Sequence, residues 1–301
     1  YPYKRVIMVY KYIRELKINP AIWLLVCFII FLPFNKMSCK MVTLDIGQGE
    51  CTYIRTGDGK HILSDCGSSD EKKIAEYKVM PCLKYYGTRN LDYVFVSHCD
   101  NDHISGIKEI VEDNLDINIG KIILPYLKEE QKSDSYREFE KLFDKSKIIY
   151  FCNGDMVKGR GYRITCFHPD DNGIYADENG YSMCLLYSTG KHNVLFTGDI
   201  DTLHEESLAK NLSDKGIKYV DILKVPHHGS KTSTSELLLD TIKPDYGIIS
   251  AGLNNSYGHP NNEVLERLDK YNVKVYKTLG KGAIVTDGLK SQEVRINIFN
   301  E

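Results

Sequence analysis

Ser97-His98-Cys99-Asp100-Asn101-Asp102-His103 stands directly behind the apolar run Leu91-Asp92-Tyr93-Val94-Phe95-Val96 and just ahead of a helical pattern over 105–112. The run is short and rich in aromatic and β-branched residues, which reads as a buried strand. Two imidazoles and two carboxylates then follow within six residues. A loop at a strand end lets alternate side chains converge on one point, as a metal site requires. Burying that many polar groups without a cation would cost several kcal/mol each. A solvated polar turn is the competing reading, and it leaves the density of ligand types unexplained.

Two further groups close comparable strands. Gly198-Asp199 ends 193–198, and His227-His228-Gly229-Ser230 ends 221–226. Either alone would be an ordinary turn. Together they place His and Asp at three strand ends, along one edge of a sheet. Elsewhere the pattern predicts strands at 42–46, 51–55, 61–65, 121–125, 148–152, 162–167, 182–187, 245–250, 273–277, 283–286 and 294–298. Helices are predicted at 71–86, 129–145, 201–211, 235–242 and 261–271. Strands and helices mixed in this way give a layered α/β fold.

The 301 residues are 42% hydrophobic and 27% charged, which excludes a disordered chain, a collagen and a coiled coil. Nine cysteines include no CxxC pair, so a cysteine-type zinc site is unsupported. Seven of the 39 basic and one of the 41 acidic residues fall in 1–40, which leaves 41–301 at −8. That sign argues against a passive, sequence-blind nucleic-acid binder. Ala21–Phe34 is uncharged but short of the ~20 residues of a full span. We read 1–40 as a basic juxtamembrane segment with a retained membrane helix at about 18–34. A signal peptide and a buried helix are the alternatives. Basic residues ahead of the run put its front in the cytoplasm, so 41–301 is expected outside the cell membrane.

His98-x-Asp100-x-Asp102-His103 resembles the HxHxDH signature of metallo-β-lactamase-fold hydrolases, with Asp100 in place of the second His. Leu44–Gly49, Leu63–Gly67, Phe196–Ile200, Leu223–Ser230 and Tyr257–Pro260 follow in order. The set is similar to the carboxy-terminal hydrolase domain of the ComEC competence protein family over essentially all of 41–301.

That resemblance implies a four-layer αβ/βα sandwich and two divalent ions, zinc or manganese. It implies His98 and Asp100 on one ion, Asp102 and His103 on the other, and Asp199 between them. His227 is taken as the remaining ligand, with His228 beside it and not separable by sequence. Asp65 is expected to orient a ligand, and Asp45 is a further candidate. Asp102 and His259 are the expected catalytic residues, His259 donating a proton to the leaving oxygen or binding phosphate. Gly229, Ser230, Ser182 and Asn179 are candidate phosphate contacts, Asn179 and Ser182 standing where the classical pattern has a ligand His. The hydroxyls of 230–235 could also cradle a phosphate ahead of the next helix. His168 is read as structural. Glu50 departs from the Asp usual in the family. The expected activity is phosphodiester hydrolysis, most simply of DNA during uptake, with membrane and upstream channel or competence proteins as partners. A hydrolase of small or surface phosphodiesters and a non-catalytic metal-stabilised module docking on a channel are the alternatives.

Overall fold

Alternation of buried residues along the strands sorts side chains into three separate cores. Met41, Ile62 and Ile123 fall in one core, while their neighbours Val42, Leu63, Ile122 and Leu124 fall in another. Likewise Val194, Ile222 and Ile248 share the first core, and Leu195, Leu223 and Ile249 enter a third. Successive side chains of a strand point to opposite faces, so each sheet is covered on both sides. The computed structural model describes residues 39–299, and these form two sheets face to face with helices outside each. This is the four-layer αβ/βα sandwich.

The first sheet contains β1 (Lys40–Thr43), β2 (Gly49–Arg55), β3 (His61–Ser68), β4 (Asn90–Phe95), β5 (Asn118–Pro125), β6 (Ile148–Phe151), β14 (Ala283–Asp287) and β15 (Arg295–Phe299). Their order is β15-β14-β1-β2-β3-β4-β5-β6. The second contains β7 (Met156–Gly159), β8 (Tyr162–His168), β9 (Cys184–Ser188), β10 (Asn193–Phe196), β11 (Ile222–Lys224), β12 (Tyr246–Ile249) and β13 (Lys274–Lys277). Their order is β13-β12-β11-β10-β9-β8-β7. Strands β3 to β6 are parallel, and so are β10 to β13. The helices are α1 (Met80–Tyr85), α2 (Asn101–Glu112), α3 (Asp134–Lys141), α4 (Thr202–Asp214), α5 (Glu236–Ile242) and α6 (Asn262–Lys270).

Three local expectations need correction. The predicted helix 129–145 is broken, because Ser133 accepts the N–H of Tyr136 and starts α3 afresh. The predicted helix 71–86 is a π-turn over Ala75–Val79 followed by α1. Strand β7 was not expected; it forms a hairpin with β8 around Gly161, which needs the left-handed backbone at φ 77°. Cys39, Cys51, Cys66, Cys99, Cys166 and Cys184 are buried free thiols, as small apolar residues. The expected membrane helix at about 18–34 lies outside the described residues. No helix among the described residues is long and apolar enough to cross a membrane.

Candidate metal centre

The loops after β3, β4, β10 and β11 meet at one edge of the sandwich. The loop after β4 opens α2, and it can press against β3 because Gly67 has no Cβ. A Cβ there would lie 2.5 Å from the carbonyl oxygen of Asn101 and the nitrogen of His103. Gly198, at φ 52°, lets the loop after β10 pass Ser97 in the same way. Asp65, His227 and His228 also hold left-handed backbones, at φ 51°, 50° and 54°. Such conformations are costly for residues with side chains and cluster at functional sites.

These loops bring Asp102, His103, Asp199 and His228 together, with one donor atom of each within 4.8 Å of the others. His103 Nε2 lies 3.1 Å from Asp199 Oδ1, and His228 Nε2 lies 3.4 Å from Asp102 Oδ2 and 3.5 Å from Asp199 Oδ2. The second imidazole nitrogens fix the tautomers. His228 Nδ1–H donates to the carbonyl of Ser250 at 2.9 Å, and His103 Nδ1–H faces Asp65 Oδ2 at 3.1 Å. Each Nε2 is thereby left with its lone pair toward the cluster. The Nε2 atoms of His98, His103 and His228 are buried without a hydrogen-bond partner, which is costly in a folded protein unless something else binds them. Orphaned imidazole nitrogens among carboxylates fit a divalent cation.

Beside the four, His98 Nε2 lies 3.5 Å from Asp100 Oδ2, and the His98 and His103 rings are 4.1 Å apart. His227 Nε2 lies 3.6 Å from Asp199 Oδ2. The sequence placed His227 ahead of its neighbour as the ligand; the four-residue cluster instead takes His228. His227 is the more exposed of the pair and flanks Asp199.

Electrostatics follow the same grouping. Burial opposes charge on Asp199, but His103, His228 and His227 overcome it and hold its carboxyl well below the usual range. Asp102 is brought down to about 2 against its burial by the neighbouring imidazoles of His228 and His103. Burial would depress His103 and His228, yet Asp199 with Asp65 raises the first, and Asp199 with Asp102 raises the second. His227 is lowered, chiefly by burial. His259 is lowered to about 4 by burial and by His228 and His227.

The remaining expected residues are placed as follows. Asp65 Oδ1 also accepts the N–H of Ser97 at 2.7 Å. Asp45 lies outside the four-residue cluster and accepts the N–H of Gly282 at 3.0 Å. Ser182 supports the ligands rather than facing outward: its Oγ accepts the N–H of Asp199 at 3.1 Å and sits 3.4 Å from His98 Nδ1. The carbonyl of Asn179 accepts the N–H of Ser182. Ser230 pairs with Thr232 at 3.0 Å, and the carbonyl of Gly229 accepts the N–H of Asn261. The phosphate cradle expected ahead of α5 is filled by the protein's own anion. Buried Glu205 accepts the N–H groups of Thr234 at 2.5 Å and Ser235 at 2.6 Å. His259 stacks on Tyr257 with ring centres 5.6 Å apart, and it lies 5.6 Å from the His227 ring. His168 is structural in its contacts, with Nε2–H donating to the carbonyl of Gly180 at 2.8 Å.

Two features escaped the sequence reading. Ser97 Oγ sits 3.0 Å from Nδ1 of both His98 and His103. Lys224 and Glu50 form a buried ion pair. A lysine inside the apolar strand Asp221–Pro226 was the available signal for the second.

Residues 44–252 match the model of the metallo-beta-lactamase superfamily. The chain belongs to the metallo-beta-lactamase superfamily. It is 33% identical over 282 residues to Recombination protein 2 of Haemophilus influenzae, covering 92% of this chain and 31% of that protein. It is 29% identical over 293 residues to Competence protein ComA of Neisseria gonorrhoeae, covering 95% of this chain and 38% of that protein. These relatives bear out the resemblance to the ComEC family, and the chain spans about a third of their length. The metallo-beta-lactamase fold protein YhfI of Bacillus subtilis has the same fold, with a TM-score of 0.50 at 16% identity. That match covers 86% of this chain and 100% of the other.

Proposed function

We propose that this protein is a metal-dependent phosphodiesterase that cleaves DNA during uptake in natural competence. The observation that carries the reading is the cluster of Asp102, His103, Asp199 and His228 with its orphaned imidazole nitrogens. Superfamily membership supports metal-dependent hydrolysis. The names of the relatives, Recombination protein 2 and Competence protein ComA, support DNA uptake.

In this reading Asp102, His103, Asp199 and His228 would hold one divalent ion, zinc or manganese. His98 and Asp100, with His227 near Asp199, would hold a second. Such ions, when bound, acidify a water and neutralise charge on phosphoryl oxygens. The chain's own residues do the rest. Asp65 and Ser97 hold the His103 ring, and Ser250 holds His228, so the donors are aimed before substrate arrives. His259, beside the His227 ring, is placed to donate a hydrogen bond to a phosphate oxygen. We further propose that the stretch at 18–34 anchors the chain, with 41–301 outside the cell membrane beside an upstream channel region.

Metal content of the purified whole chain, measured with its cleavage of DNA, tests the reading. Cleavage that requires manganese or zinc and disappears in Asp199→Ala supports it. Full cleavage after chelation refutes it. The charge of −8 over 41–301 favours a second reading, hydrolysis of a small phosphodiester. Turnover of bis-p-nitrophenyl phosphate with none of DNA at low salt would decide for it.

A further inference from the structure

Beside the ligand loops, the ends of β5 and β6 and the loop after β8 line an open cleft of about 330 Å³, with Tyr126, Lys128, Tyr150, Asp155, Asp171 and Asn172 in its walls. Strands β4, β5 and β6 are parallel neighbours. The ends of β5 and β6 therefore lie about 5 and 10 Å along the edge from the end of β4, which carries His98. Strand β8 is antiparallel to β9, which is antiparallel to β10, so β8 emerges at the same edge as Asp199. At ~3.4 Å per stacked nucleotide, the ends of β5 and β6 are about one to three nucleotides along the edge from the end of β4.

The two tyrosines are 41% and 40% exposed, which leaves ring surface for a ligand. The Tyr150 ring and the Tyr126 backbone are also held in place. The Tyr150 hydroxyl donates to Glu140 at 2.6 Å, and the Lys132 ammonium lies 5.3 Å from its ring centre. The N–H of Tyr126 donates to the carbonyl of Phe151 at 2.7 Å. Asn153 ties the third wall through the carbonyl of Pro169 at 2.7 Å and Asp170 Oδ1 at 3.0 Å. A site fixed before binding loses little in ordering.

Resting on the phosphodiesterase reading, we propose that this cleft takes an unstacked nucleobase of a single-stranded nucleic acid whose backbone passes the metal centre. Flat rings suit stacking by any base. The carboxylates of Asp155 and Asp171 can accept hydrogen bonds from exocyclic amino groups, and Lys128 can meet a phosphate. A quaternary ammonium head group would also seek tyrosines and carboxylates. Here, however, the Lys132 ammonium already lies over the ring of Tyr150, where a second cation would have to sit.

The test is fluorescence anisotropy of the metal-free whole chain in chelator, with a labelled ten-nucleotide single strand and an abasic strand of equal length. The strand with bases should bind about tenfold more tightly. Tyr126→Ala should erase that preference and Tyr126→Phe keep it, with unchanged circular dichroism showing that both fold. Tyr150→Ala should act as Tyr126→Ala does. Equal binding of both strands overturns the proposal, as does a preference that survives both alanine variants. Displacement of the strand by phosphocholine, at concentrations where a nucleoside monophosphate fails, also overturns it. Hydrolysis of bis-p-nitrophenyl phosphate by the metal-loaded chain judges the phosphodiesterase reading separately, so either can fail alone.

Discussion

Lys224 and Glu50 form an ion pair that joins the two sheets, with both charged ends buried. Lys224 is the last residue of β11, just ahead of the loop that carries His227 and His228. Glu50 follows Gly49, whose carbonyl accepts the Ser250 hydroxyl at 2.7 Å, and Ser250 in turn holds His228. The pair lines the small cavity behind Asp65 and Ser97. It therefore sets the height of one ligand loop against the other.

Removing one member should be costly, because the other is left as an unpaired buried charge. Lys224→Met or Glu50→Gln should each lower stability by about 3–5 kcal/mol, read by urea denaturation. The double variant should recover much of that loss. Losses that simply add would mean the two charges are not coupled.

The position of His228 inside the four-residue cluster separates it from its neighbour. His228→Ala should remove one equivalent of bound metal, while His227→Ala should retain that equivalent. Metal analysis after dialysis against a weak chelator reads the difference. Equal losses would show that the two histidines share one ion.

Asp65 reaches the cluster only through His103 and the N–H of Ser97. Asp65→Asn keeps the size and removes the charge behind the ring. Metal affinity should fall about 10–100-fold, measured by competition with a chromophoric chelator. An unchanged affinity would assign the orientation of His103 to Ser97 alone.

His168 offers a test of pH dependence away from the ligands. Burial lowers it from 6.5 to about 4. A depressed imidazole stabilises the fold fully above pH 6.5, and that contribution is lost as pH falls toward 4. The lost contribution is on the order of 3 kcal/mol. His168→Gln can still donate to the carbonyl of Gly180 and cannot titrate. Its stability relative to the parent should rise by that amount between pH 7 and pH 4, measured by urea denaturation at each pH.

Much of this molecule is written in short-range patterns. Apolar runs bounded by Gly and polar residues mark β3, β4, β5, β10, β11 and β12, because a strand covered on both faces must be apolar throughout. The ligand loops are legible for the same reason, since His and Asp behind such runs have nowhere else to point. What could not be read depends on contacts between distant residues. The presence of His228 rather than His227 in the four-residue cluster goes with its bond to Ser250 and with two left-handed backbones, neither of which has a local signal. The filling of the α5 terminus by Glu205 spans about thirty residues of chain. The break before α3 was locally available in Ser133, which sits in a charged run that hides it.

The candidate ligands are divided between the sheets, with His103 and Asp102 held by the first and Asp199 and His228 by the second. A cation shared across that seam would act as a rivet through both plates of the sandwich. Loading the ion should then slow proteolysis at that margin while the three cores hold the plates together without it.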